Sequence, residues 1–197
     1  MAVYSIPYQS APCWDSVPAV ELMHTGWLDE APVSAKAQLC YNDEALFVRM
    51  EAKESPIRAT LREPLAQVCN DSCLEFFFAP DPEDARYLNF EFNPLGTLYL
   101  GFGSTRPTRV RQILKAPEAL LDPQPFFTEG GWGICYRIPF SFICNYFPSF
   151  EPKGEAAGNF YKCGDETAIP HYLSWASMTT DTPDFHRRQD FGTLIFC

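Results

Sequence analysis

The sequence predicts an all-β fold, an antiparallel β-sandwich or jelly roll with one or two short helices. Three observations carry this. Eighteen prolines interrupt any long helical pattern. Aromatic residues, with strong strand preference, form 15% of the chain, and 17 of them are Phe. Short runs of alternating apolar and polar residues recur between clusters of Pro, Gly, Asn and Asp. A chain of 197 residues suits one domain spanning 1–197, with residues 1–35 as an N-terminal extension packed on the sandwich.

Residues Lys36 to Tyr41 and Ala45 to Ala52 read as a hairpin around Asn42-Asp43-Glu44, with Leu46, Val48, Met50 and Ala52 on one face. Cys73 to Phe78 follows, placing Leu74, Phe76 and Phe78 on one side and Glu75 and Phe77 on the other. From Tyr87 to Asn93, Leu88, Phe90 and Phe92 alternate with Tyr87, Asn89, Glu91 and Asn93, so four hydrogen-bonding side chains share a face. Pro94-Leu95-Gly96 turns the chain into the strand Thr97 to Phe102. Trp132 to Ile138 is another strand, and Pro139 starts a short helix reaching about Phe147. A second short helix covers Pro117 to Leu121, and strands at Leu173 to Ala176 and Thr193 to Phe196 complete the set. Ser104 to Phe126 and Ser149 to Gly158 lack periodicity and read as surface loops.

Acidic residues outnumber basic ones 25 to 15, and a net charge of −10 disfavours nucleic acid and anionic membrane surfaces as partners. No stretch is long enough to span a membrane, and Met1 to Pro18 has no basic, apolar leader pattern, which predicts a cytoplasmic protein. Eight cysteines without a spaced framework predict reduced, mostly buried thiols. The Cys69 and Cys73 pair has no second pair at matching distance, so zinc is disfavoured.

The densest chemistry lies near the C-terminus: Asn159, Tyr161, Lys162, Cys163 and Asp165, then His171, Trp175, Phe185 and His186. Aromatic rings, an amide, an ammonium and imidazoles suit a polar ligand, without a phosphate loop or nucleophile elbow. A structural reading stands beside this one. Asn159, Tyr161 and Lys162 would then form a latch on backbone carbonyls and a buried carboxylate, Trp175 would be core, and Tyr87 to Asn93 would be a solvated strand face.

In order and spacing, the landmarks Ala45 to Met50, Asp71-Ser72-Cys73-Leu74-Glu75-Phe76-Phe77, Asn89 to Gly96, Ile138-Pro139-Phe140, the Trp175 segment and the terminal Phe-Gly strand resemble those of family 9 carbohydrate-binding modules, DOMON-like β-sandwiches often associated with xylanases. The resemblance covers about Lys36 to Phe196. It implies non-catalytic recognition of a saccharide or its terminal residue in plant-type polysaccharide use, with Trp175 as an aromatic wall, Glu75 as the carboxylate and Asn93 as the amide. Asn89, Glu91, Tyr87 and His171 complete the expected ligand-binding set. The family's first aromatic wall falls where this chain has Val68, Cys69 and Asn70, and its arginine is replaced by Glu91, leaving Tyr87, Phe77 or a loop Phe to substitute. The resemblance also implies that calcium is a possible ligand, that no cofactor is required, and that a separate glycoside hydrolase is a possible partner.

Two alternatives stay open. A glycoside hydrolase would use Glu75 and Glu91 as its carboxyl pair. A haem-binding electron carrier would need an axial Met and His, drawn from Met50 or Met178 with His171 or His186.

Overall fold

The computed structural model describes residues 2–28 and 32–197. The strands in chain order are β1 (Val3–Ile6), β2 (Val20–Glu21), β3 (Ser34–Tyr41), β4 (Ala45–Lys53), β5 (Cys73–Ala79), β6 (Tyr87–Phe92) and β7 (Leu98–Gly103). They continue with β8 (Val110–Gln112), β9 (Gln124–Thr128), β10 (Gly131–Pro139), β11 (Gly154–Cys163), β12 (Tyr172–Ser174) and β13 (Gly192–Phe196). Two short helices, α1 (Pro117–Leu121) and α2 (Phe140–Ile143), flank β10.

Among the described residues these strands form an all-β sandwich of two sheets. The smaller runs β2-β3-β4-β10-β9, and the larger runs β1-β13-β11-β5-β6-β7-β8 with β12 also on β11. All pairs are antiparallel except β1 with β13, which is parallel. Residues before Ser34 supply an edge strand to each sheet, since Val3 to Ile6 pair with Thr193 to Phe196 and Val20 pairs with Ala37.

The alternation sets the core. Leu46, Val48, Met50, Leu74, Phe76, Phe78, Leu88, Phe90 and Phe92 are each at most 1% exposed and meet between the sheets. Burying each Phe stabilises the fold by about 1.5–3 kcal/mol, so this layer dominates the packing energy. Asn42 Oδ1 accepts from the Glu44 and Ala45 N–H groups at 2.9 Å, holding the β3–β4 turn. All eight cysteines are free, with Cys40, Cys73 and Cys163 buried.

Three expectations need correction. The segment 149–158 is not wholly a loop, because β11 begins at Gly154 and runs centrally between β5 and β13. Its first residues, Gly-Glu-Ala-Ala-Gly, lack large alternating side chains; Gly158 packs so tightly that a Cβ there would lie 2.7 Å from the Phe77 carbonyl oxygen. The segment 104–126 contains β8 and the start of β9. The polar face from Tyr87 to Asn93 is not solvated: Tyr87 and Asn89 are fully buried and Glu91 is 4% exposed. The larger sheet is therefore covered on both sides, by the smaller sheet on one face and by loops on the other.

Candidate functional site

The outer face of the larger sheet carries a row of polar and aromatic side chains across four strands. Strand register places Tyr161 opposite Glu75, Glu75 opposite Glu91, and Glu91 opposite Tyr99. Over this row lies a cavity of about 390 Å³. Glu75, Glu91 and Cys163 line its floor, Trp27, Tyr172 and Phe185 one side, and Tyr99 with Arg109 and Arg111 the other.

Each wall residue is positioned by a specific contact. A bridge between His24 and Ser174 lays the chain around Gly26 beside β12, bringing Trp27 edge-on to Tyr172 at 5.6 Å between ring centroids. Gly26 takes φ +66°, a left-handed conformation that suits glycine. Trp27 Nε1 donates to the Thr180 carbonyl at 2.7 Å, fixing the indole. Phe185 stacks on Tyr161 at 4.1 Å, and the Tyr161 hydroxyl donates to its carbonyl at 3.1 Å. On the far side the Arg109 and Arg111 guanidinium groups lie 4.9 and 5.0 Å from the Tyr99 ring centroid, and Arg109 donates to the Tyr99 hydroxyl at 3.0 Å.

The floor is a pair of carboxyls hidden from bulk water, 3% exposed at Glu75 and 4% at Glu91. Burial raises Glu75 to about 7, partly offset by the Cys163 thiol, which donates to its Oε1 at 2.9 Å. Burial and then the neighbouring Glu75 hold Glu91 well above the usual carboxylate range. Asn89 Nδ2 donates to Glu91 Oε1 at 2.7 Å, while its own Oδ1 is buried without a partner. Protonated carboxyls can both donate to and accept from ligand hydroxyls. Beside them, burial and then Arg109 push His186 down to about 2, keeping the ring neutral; its Nδ1 lies 2.9 Å from the Tyr87 hydroxyl.

Of the residues expected at a site, Glu75 and Glu91 line this cavity, while Asn89 and Tyr87 support it from beneath. The other three lie elsewhere, which corrects the expectation drawn from them. Trp175 is 8% exposed and belongs to the inter-sheet core, edge-on to Tyr4 at 6.4 Å and tilted against Phe160 at 5.6 Å. Its alternation along the segment after β12 turns the indole inward, and Tyr172, three residues earlier, reaches the cavity instead. Asn93 ties down the loop before β5: Nδ2 donates to the Leu61 carbonyl at 2.7 Å and to Asp71 at 3.0 Å, and Oδ1 accepts from Leu95 and Thr97 N–H groups. His171 Nε2 lies 2.7 Å from Lys162 Nζ in a buried cluster with Glu54.

The motif Asn159, Tyr161, Lys162 sits on β11, a central strand rather than an irregular connection. Asn159 Oδ1 accepts from the Ala176 N–H at 2.9 Å and Nδ2 donates to its carbonyl at 3.2 Å. Lys162, fully buried, lies 3.1 Å from Glu54 and donates to the Cys163 carbonyl at 2.8 Å.

Among the described residues, Cys73, Glu75 and Cys163 form the one group of three side chains with ligand atoms within 4.8 Å of each other. Two thiols are the wrong ligands for calcium, which takes oxygens. Asp71, Asp81 and Asp84, acidic residues in turns, have partners within the chain: Asp71 accepts from Thr60, Leu61 and Asn93, Asp81 from the Glu83 N–H, and Asp84 pairs with Arg86. Among the described residues, the methionines named for the haem alternative lie away from the cavity lining, Met50 sealed in the core and Met178 packed with Phe77, Tyr87 and Tyr161.

The expected ligand-binding set left out Trp27, Tyr172, Phe185, Tyr99, Arg109 and Arg111, although Phe185 stood in the C-terminal group of aromatic and polar residues. Tyr99 was legible from the alternation of Leu98 and Leu100, which puts it on the Glu91 face. The rest come from loops or short strands without a periodic signal.

An acid-floored cavity with aromatic sides, on the outer face of a β-sandwich, has the chemistry that suits a polar ring-shaped ligand such as a saccharide. The family model described as carbohydrate-binding family 9 matches residues 17–196, and the chain belongs to that family. Its fold is similar to that of a candidate carbohydrate-binding protein from Bacteroides uniformis ATCC 8492, with 23% identity, TM-score 0.84 and 98% of each chain covered. It is also similar to a family 9 carbohydrate-binding module from Caldicellulosiruptor kristjanssonii. That module's complex with cellotriose gives 12% identity, TM-score 0.69 and coverage of 99% of this chain and 93% of that one. Its complex with glucose gives 12% identity, TM-score 0.68 and coverage of 100% and 96%. No curated protein matches the sequence at a significant level. Among the described residues, no helix is long and apolar enough to cross a membrane.

Proposed function

We propose that the protein binds a saccharide, or its terminal residue, without turning it over, in the cavity above Glu75 and Glu91. The observation that carries this reading is the placement of Trp27, Tyr172 and Phe185 beside a floor of two proton-holding carboxyls. A sugar ring offers a weakly apolar C–H face for the aromatic side and a rim of hydroxyls for the floor. Family membership and the sugar complexes of a structural neighbour support the same ligand class. A separate glycoside hydrolase acting on the same polysaccharide fits this role as a partner.

The register that makes Glu75 and Glu91 direct neighbours also favours hydrolysis as a second reading. A retaining hydrolase needs one of its two carboxyls ionised as nucleophile. With Glu75 raised to about 7 and Glu91 also held well above the usual carboxylate range, burial works against the charged form that a nucleophile needs, so binding is the better use.

A glycan panel followed by calorimetry tests the proposal. Trp27→Ala and Tyr172→Ala should each weaken the best ligand by about tenfold or more, equivalent to about 1.4 kcal/mol. Unchanged affinity in both variants would place the ligand elsewhere. Product release that disappears in Glu75→Gln would favour the hydrolase.

A further inference from the structure

The cavity concentrates arginines. The chain carries a net charge of −10 and only 15 Lys and Arg residues, yet Arg106, Arg109 and Arg111 all line this one cavity. They lie within six residues, around the connection from β7 to β8, and their guanidinium groups converge from the Tyr99 side.

None of the three is neutralised by an ion pair. Among the described residues, no carboxylate oxygen lies within 4.0 Å of their nitrogens. Arg109, partly buried, directs its donors to the Tyr99 hydroxyl at 3.0 Å and to the neutral His186 ring. Arg111 rests over the Tyr99 face, and Arg106 is exposed at the cavity mouth. Four carboxyl groups also line the cavity: Glu75, Glu91, Asp165 and Asp184. Burial favours the neutral form of Glu91 and in part of Glu75, which reduces the negative charge facing the arginines, while the two carboxyls still act on Arg109 across the cavity. Burial also raises Asp165, and Asp184 accepts the His186 N–H at 3.0 Å.

Two guanidinium groups held by aromatic and imidazole partners, those of Arg109 and Arg111, and a third at the mouth, that of Arg106, have fork donors left over and form an oxyanion-recognising side on a sugar-sized cavity. We infer that the ligand is a saccharide bearing an anionic substituent, a uronate carboxylate or a sugar phosphate, bound with that group toward Arg106, Arg109 and Arg111. This rests on the saccharide-binding reading above and narrows its ligand class. The ring would lie on the Trp27 and Tyr172 side while its charged group meets the arginines, so both ends of the cavity are used.

The test is calorimetry with glucose, glucuronic acid and glucose 6-phosphate, which share a ring and differ at one carbon, alongside the neutral and acidic members of a glycan panel. At least one anionic ligand should bind tenfold or more tightly than its neutral counterpart, and the tighter of the two identifies the substituent. Arg106→Gln, at an exposed position, and Arg109→Gln should each reduce that preference several-fold. Raising the salt concentration should weaken the anionic ligand selectively. Neutral glycans binding as well as or better than acidic ones would overturn this inference and leave saccharide binding standing. An anionic preference untouched in both arginine variants would overturn it too, and silence across the whole panel would remove the underlying reading with it.

Discussion

Replacing Lys162 with Met should destabilise the fold by about 3–5 kcal/mol, the usual cost of stranding one member of a buried ion pair. The Lys162 side chain is fully buried and that of Glu54 is 2% exposed, with Nζ and Oε2 3.1 Å apart. Nζ also lies 2.7 Å from His171 Nε2 and donates to the Cys163 carbonyl at 2.8 Å. Glu54 keeps two neutral donors, Ser72 Oγ at 2.7 Å and Trp132 Nε1 at 3.0 Å, and His171 Nε2 lies 3.6 Å from its Oε1. Methionine retains most of the stem volume, so the loss reports charge and hydrogen bonding rather than a cavity. Adding Glu54→Gln removes the stranded charge, and the double variant should recover about 2 kcal/mol relative to the sum of the single changes. Urea denaturation at pH 7, with m-values compared, measures both quantities. A loss below about 1 kcal/mol for Lys162→Met, or additivity within about 0.5 kcal/mol, would show that the cluster is not an interdependent latch.

Trp175→Ala should cost about 3–5 kcal/mol in denaturation and leave ligand affinity of the folded protein unchanged, because its ring fills core space against Tyr4, Phe160 and Gly192. Lost affinity at unchanged stability would return Trp175 to the ligand site. Glu91→Gln should gain stability relative to wild type as pH rises. The Glu91 carboxyl is held well above its usual value, so the native state binds more protons than the unfolded one above about pH 4.5. Wild type therefore loses up to about 1.4 kcal/mol per pH unit through this group over that range, whereas glutamine does not titrate. Denaturation at pH 5 and pH 8 measures the difference; an equal gap at both would refute the shift.

The strand phases were legible from one chain because burial of a single face imposes period two. Leu74, Phe76 and Phe78, and Leu88, Phe90 and Phe92, needed no partner to reveal their core side, and the same alternation put Glu75, Asn89 and Glu91 on the opposite face. Alternation says which residues share a face and nothing about what covers it. Both faces of β5 and β6 are buried, so the polar side that reads as solvated surface becomes the floor of a cavity. β11 stayed hidden for a related reason, since its Gly and Ala residues are small enough to fit between neighbours and leave no hydrophobic period.

The sequence determined the sandwich, its core and the carboxyl pair, because these follow from local periodicity and from ordered landmarks along the chain. Tertiary structure alone decided which aromatics line the cavity. Trp27, Tyr99, Tyr172 and Phe185 come from distant segments and converge through a β-bridge at His24, strand register at Glu91 and stacking on Tyr161. Trp175 and Tyr172 are three residues apart, and the turn of the chain after β12 sends the indole into the core while Tyr172 faces the cavity.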